Sequence, residues 1–315
     1  MRGRTLVAAV ALLAWVAGST MGSIAVSTQA HARTAVIALG KPHARYTPDP
    51  SGRRTITILA VGSDARPGQD PLRSRADSIH VVFLHPRKQQ AVVVGIPRDS
   101  LVSIPGRGTD KINAAMASGG PGGLVQTVER SFGTKIDYWA VASFWGLPRM
   151  VNAVGGLDVR VPFTMRDAAS GSNFRPGRRH LNGLQVLAFA RDRHSVPGGD
   201  FGRQENGGRV FVAALAEFQR TYRTNPGSLL TWIVAGMRNM DTDIRVPELV
   251  DLAFGATRIP LRDVRNVVLP GGTGTVGGRS VVILSMSTAR GIFADAKADG
   301  ALRRANVPRS PTGHG

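Results

Sequence analysis

No cysteine occurs in the 315 residues, which excludes a disulfide framework and any zinc site built on thiolates. Lysine is scarce as well. Only Lys41, Lys88, Lys111, Lys135 and Lys297 stand among 40 basic residues, so arginine carries the formal charge of +19. Neither a G-x-S-x-G elbow nor a phosphate-binding P-loop is present, and the seven histidines form no H-x-x-x-H pair. Serine hydrolase, P-loop NTPase and zincin chemistries therefore lapse. Part of the arginine bias reflects composition; the rest calls for a polyanionic partner such as nucleic acid, anionic lipid or a phosphate-bearing polymer. No helix-turn-helix signature supports the first of these.

What the chain does hold is organised around residues 55–66, TITILAVGSDAR. The β-branched and apolar run predicts a buried strand that stops at Gly62-Ser63 and delivers Asp64 at the turn. Arg75 and Asp77 stand just before a second apolar run, 79–84. If the two strands are neighbours, two carboxylates meet at one sheet end with Arg66 and Arg75 around them. Such a group suits a phosphate that arrives with Mg²⁺, the acids holding the hard cation and the guanidiniums the oxygens.

Ahead of this stretch, Arg2 and Arg4 precede residues 6–26, a run of about 21 uncharged positions, long enough to cross a bilayer. Residues 1–26 are thus expected to be a transmembrane anchor or a signal segment. Ala30-His31-Ala32 offers a cleavage site for the second case, with release near Ala32. Either way the body lies outside the cell membrane. Residues 27–54, with Pro42, Pro48 and Pro50, read as a tether, 55–302 as the folded body and 303–315 as a disordered tail.

Within the body, 81–84, 91–96 and 159–162 are expected as strands, with 85–89 as a hairpin connector. Residues 111–117, 121–132, 144–154, 211–219, 229–240 and 246–256 have helical spacing, and 267–269 with 281–284 suggest a late strand pair. Gly272-Thr273-Gly274-Thr275-Val276-Gly277 fits the letters of a dinucleotide fingerprint, but a strand follows it, so it is expected to be a loop. Further candidate chemistry sits at Arg98, thrown out past Pro97 at a strand end, and at Lys111, expected to open a helix. Arg191 and Arg193 flank Asp192. On extended backbone both arginines point one way, a two-pronged clamp for an oxyanion. Arg203 completes the set.

Taken in order, these blocks resemble the LytR-CpsA-Psr (LCP) family of cell-envelope proteins. The matching residues are Gly62-Ser63-Asp64-Ala65-Arg66, Arg75-Ala76-Asp77-Ser78, Ile96-Pro97-Arg98-Asp99 and Asp110-Lys111-Ile112-Asn113. They continue through Gly155-Gly156-Leu157-Asp158, His180-Leu181-Asn182-Gly183, Ala190-Arg191-Asp192-Arg193 and Asp200-Phe201-Gly202-Arg203. The resemblance implies an α/β fold, a single α-β-α sandwich around a mixed sheet with an apolar tunnel, which residues near 147–154 and 211–215 would line. It implies a membrane-anchored, outward-facing phosphotransferase that moves a glycopolymer from a polyprenyl-pyrophosphate carrier onto peptidoglycan. Asp64 and Asp77 would hold Mg²⁺ or Mn²⁺. Arg75, Arg98, Lys111, Arg191, Arg193 and Arg203 would grip the phosphates, with Asp77, Arg191 and Arg193 catalytic. The expected partners are the lipid-linked polymer, peptidoglycan and the membrane, and no nucleic acid. Two other readings fit the same residues: a polyprenyl-pyrophosphate pyrophosphatase, and a non-catalytic envelope-linked binding or regulatory protein. One departure stands out: where the family usually has Arg-Gln-Gln, this chain reads Asn206-Gly207-Gly208.

Overall fold

The computed structural model describes residues 54–313. The expected anchor or signal segment and all of the tether except Arg54 lie outside the described residues. Among those described, no helix is long and apolar enough to cross a membrane.

Three strands open the domain as an antiparallel meander: β1 (Ile56–Ser63), β2 (Ala76–His85) and β3 (Gln90–Gly95). A small hairpin of β4 (Leu101–Ile104) and β5 (Gly108–Lys111) leads into α1 (Ala114–Phe132). Strand β6 (Tyr138–Ser143) returns parallel to β1, and α2 (Gly146–Ala153) follows. Four short strands come next, β7 (Leu157–Val161), β8 (Met165–Asp167), β9 (Ser172–Phe174) and β10 (Gly177–Leu181). Then α3 (Gly183–Arg191), the long α4 (Asp200–Thr224) and α5 (Ser228–Asn239) lead to β11 (Met240–Thr242) and α6 (Val246–Ala256). The domain finishes with β12 (Val264–Val268), the hairpin β13 (Gly271–Val276) and β14 (Arg279–Leu284), and α7 (Met286–Asp299).

The central sheet runs β11-β6-β1-β2-β3-β12 and is mixed, because β6 joins β1, and β12 joins β3, in parallel. Strict alternation along β1 to β3 gives it two apolar faces. Leu59, Val81, Phe83 and Val94 pack with Met116 and Phe132 of α1 and Phe293 of α7. The rings of Phe132 and Phe293 stack at 4.5 Å. Ile58, Val82, Leu84 and Val93 point to the opposite side, toward α4, α5 and α6. Helices thus cover both faces, as the sandwich reading expects. A second cluster, with Val159, Met165, Phe174, Leu181 and Phe189, joins β7–β10 to α2, α3 and α4.

Several expectations need correction. Lys111 ends β5 instead of opening a helix; its segment pairs with β4, and α1 starts only at Ala114. The separation of the helices expected at 111–117 and 121–132 does hold: α1 is two helical pieces that meet at Gly120, whose φ of 63° and ψ of −164° no helix accepts. Residues 272–276 are a strand, not a loop, and of the expected stretch only Gly277 lies in the turn. They form β13, because Gly277 and Gly278, both at positive φ, turn the chain into a hairpin with β14. Val267 consequently pairs with Val94 of β3, and not with the 281–284 strand. The tail is not free either: Thr312 is buried, its amide donates to Glu205 at 3.1 Å, and Ser310 Oγ donates to the same carboxylate at 2.7 Å.

Candidate active site

The tip of β1 and β2 is shaped by a bulge. Gly62 pairs with Ser78 and Ser63 with Ala76, so Asp77 is the extra residue without a partner across the ladder. Bulges bend a strand and re-aim a side chain. Here Asp77 enters a cavity of about 550 Å³ lined by Asp64, Arg66, Arg98, Arg191, Arg193 and Arg203, among others. The Asp64 amide, donating to the Arg75 carbonyl at 3.1 Å, closes the turn and sets Asp64 at the rim.

A half-buried arginine, Arg98, and a buried one, Arg203, converge on Asp77 from distant parts of the chain. Arg98 leaves the end of β3, where Pro97 stops the ladder, and donates to Asp77 Oδ1. Arg203 comes from the first turn of α4; its Nη1 donates to the Asp77 carbonyl at 2.8 Å and to Oδ2 at 3.1 Å. The other edge of the Arg203 guanidinium is held by Asp200 Oδ1, at 3.0 and 2.6 Å from Nε and Nη2. Arg98 Nε stands 3.8 Å from the same oxygen. Burial works against the charge of Arg98, but Asp77 and Asp200 outweigh it and hold its pKa above the ordinary value. Both Arg98 Nε and Asp200 Oδ2 are buried without a hydrogen-bond partner, an arrangement that a ligand or water must complete.

Arg191 ends α3, and the extended backbone at Asp192 turns that carboxylate inward, where Ser172 and Ser195 donate to it. Both flanking arginines therefore line the cavity, as the alternation predicts. Arg191 lies over the Phe144 ring, 4.4 Å from its centroid. Five arginines face three aspartates in the lining, and that surplus of positive charge favours an anion.

The structure brings together Asp64, Asp77, Arg98, Arg191, Arg193 and Arg203, but not two others. Arg75 is exposed and does not line the cavity. Lys111 lies outside it, paired with Asp99 at 3.1 Å. Sequence reasoning overlooked Asp200, whose three-residue spacing to Arg203 on a helix was the available signal. It also overlooked Asp167 and His194, which pair at 3.1 Å in the lining.

As a divalent-cation site the residues fit in one mode only. Among the described residues no three His, Cys, Asp or Glu side chains gather around one point. Both oxygens of Asp77 are engaged by arginine, whereas Asp64 faces the cavity. Mg²⁺ is commonly held by one or two carboxylates with phosphate and water completing its shell, and that is the donor set available.

A profile of the LytR_cpsA_psr family matches residues 21–298. The polyisoprenyl-teichoic acid--peptidoglycan teichoic acid transferase TagU of Bacillus mycoides (strain KBAB4) is 37% identical over 203 residues, 62% of this chain and 63% of that protein. The chain thus spans less than two thirds of that relative. TagU of Enterococcus faecalis (strain ATCC 700802 / V583) is 31% identical over 206 residues, 65% of this chain and 66% of its own. Among solved structures, that of B. subtilis TagV superposes with a TM-score of 0.67 at 27% identity, over 80% of this chain and 99% of that one.

Proposed function

The chain belongs to the LytR-CpsA-Psr family, and on that premise we propose that it is a phosphotransferase, moving a glycopolymer from a polyprenyl-pyrophosphate carrier onto peptidoglycan. One observation carries the reading. A single helix, α4, lines two unlike cavities: Arg203 stands in the arginine-rich one, while Phe211, Leu215 and Phe218 line an apolar one of about 340 Å³. Arg203 and Phe211 are eight residues apart, roughly 12 Å along a helix. A ligand with a doubly charged head and a long hydrocarbon tail suits that pairing. The curated relatives' names supply the class of reaction; which polymer this chain moves is left open by them.

In this mechanism Arg98 and Arg203 bind the diphosphate and, with Arg191 and Arg193, neutralise charge that builds on the phosphoryl oxygens and the leaving prenyl phosphate. The acceptor sugar hydroxyl attacks the phosphorus next to the polymer; the new P–O bond forms as the P–O bond to prenyl phosphate breaks. Phosphate binding draws Arg98 from Asp77 Oδ1, which frees that oxygen to take the hydroxyl proton. Mg²⁺ or Mn²⁺, when bound by Asp64 and Asp77, would supply further charge neutralisation at the phosphates. The reading places the domain on the outer side of the cell membrane, beside its lipid-linked donor.

The test is transfer of a labelled, lipid-linked polymer to isolated peptidoglycan. Asp77→Ala should fold as the wild type does and lower transfer by at least about 100-fold. Undiminished transfer sinks the mechanism. Polymer released by the wild type into solution, with none wall-bound, replaces the transferase with a pyrophosphatase.

A further inference from the structure

Strand β2 and helix α4 are joined at two successive levels. The first is the Arg203 to Asp77 contact. At the second, the fully buried His80 reaches across from β2, with Nε2 2.9 Å from the Gln204 carbonyl and Nδ1 3.1 Å from Ser78 Oγ. A carbonyl only accepts, so Nε2 carries the proton, and Nδ1 accepts from the Ser78 hydroxyl. The ring needs room beneath the helix, and Gly207 provides it. A Cβ on Gly207 would stand 2.6 Å from His80 Cε1 and 3.1 Å from Nε2.

Gly207 is not alone on this helix. A Cβ on Gly208 would come 1.8 Å from Asn266 Oδ1, and one on Gly202 would come 2.1 Å from the Pro197 carbonyl. None of the three takes a left-handed conformation. Their common requirement is space, so that the helix backbone can lie directly on its neighbours. Close approach matters here because Arg203 has only 4% of its side chain exposed and must reach a backbone carbonyl on β2. His80 also stands between the two cavities, its ring 5.2 Å from that of Phe211.

We infer that His80 is a positioning residue: wedged into the notch left by Gly207, its ring sets the spacing between β2 and α4 that brings Arg203 onto Asp77. The inference rests on the proposed reaction for its effect on transfer, but not for its effect on anion binding. The full chain is therefore titrated with inorganic pyrophosphate by calorimetry, well below its unfolding temperature. Gly207→Ala, which forces the ring aside, should weaken binding about tenfold, and in a His80→Ala background the same change should cost less than about twofold. Losses that multiply independently overturn the inference, and so does a Gly207→Ala protein that melts lower yet binds as the wild type does, since simple core filling predicts that. A crystal structure of Gly207→Ala gives a reading free of ligand: Arg203 still seated on the Asp77 carbonyl also overturns it. Wild-type protein that binds pyrophosphate but transfers no polymer would remove the proposed function and leave the wedge standing.

Discussion

At the level of single residues, the site separates arginines that work as forks from cations that serve as charges. Arg203 spends one edge on Asp77 and the other on Asp200. Arg203→Lys keeps the charge and loses the fork, so transfer should fall about 100-fold in a protein that still folds. Lys111 is bound to Asp99 outside the cavity, and Lys111→Ala should change transfer less than about twofold. Assaying both variants side by side checks the assignment; an equal loss refutes it. The sequence made Arg75 as attractive as Arg98, because Arg75 and Asp77 share a face on a regular strand. The bulge at Asp77 breaks that phase and leaves Arg75 exposed. His80 has its own signature. Burial, aided by Arg203, pushes its pKa from 6.5 down to about 4. A histidine that folds neutral contributes stability that is complete above pH 6.5 and is lost as pH falls toward 4, where the unfolded chain takes up the proton first. That contribution is on the order of 3 kcal/mol. Urea unfolding of wild type and His80→Asn at pH 7 and pH 4.5 isolates it, the variant being expected to lose less stability on acidification.

At the level of elements, the C-terminal strap shows how far a polar segment can be tied down by one buried acid. Glu205, 2% exposed, accepts from Arg209, from Ser310 Oγ and from the Thr312 amide. Upstream, Asn306 and the Arg303 amide both donate to Asp295. Deleting residues 308–315 strips Glu205 of two donors and should cost about 2 kcal/mol, read as a lower melting temperature; no change means the strap is decorative. Composition alone labelled this segment a tail, since nothing local distinguishes a docked Ser-Pro-Thr from a free one. The same limit explains β13, whose three glycines (Gly271, Gly272 and Gly274) have little strand propensity and hide the signal of Thr273 and Thr275; the Gly277-Gly278 turn pairs it with β14. Strands β1, β2 and β3 were legible because their short continuous β-branched and apolar runs and the 85–89 connector are local signals. Their register, and therefore which carboxylate faces the cavity, was not local.

At the level of the whole molecule, the fold sets two solvents for a ligand side by side along α4. The sheet tips and α3 surround the charged cavity, while the inner sides of α5 and α6 close the apolar one over Val82, Leu84 and Val93. Among the described residues no charged side chain lines the second cavity, so its contribution to binding should scale with buried hydrocarbon, about 0.8 kcal/mol per CH₂. The two contributions can then be separated by substitution. Ala253 of α6 lines the apolar cavity and is not part of the arginine-rich lining; Ala253→Phe should fill part of the space a prenyl tail would occupy. Affinity for a prenyl diphosphate should drop at least about tenfold, the equivalent of 1.4 kcal/mol, while affinity for inorganic pyrophosphate stays within about twofold. Parallel calorimetric titrations distinguish the outcomes. If both ligands weaken together, the helix has moved and the cavities are coupled; if neither does, hydrocarbon binds elsewhere and the apolar cavity is ordinary imperfect packing. Only a selective loss of the prenylated ligand matches an enzyme that holds its substrate by the tail and acts on it at the head.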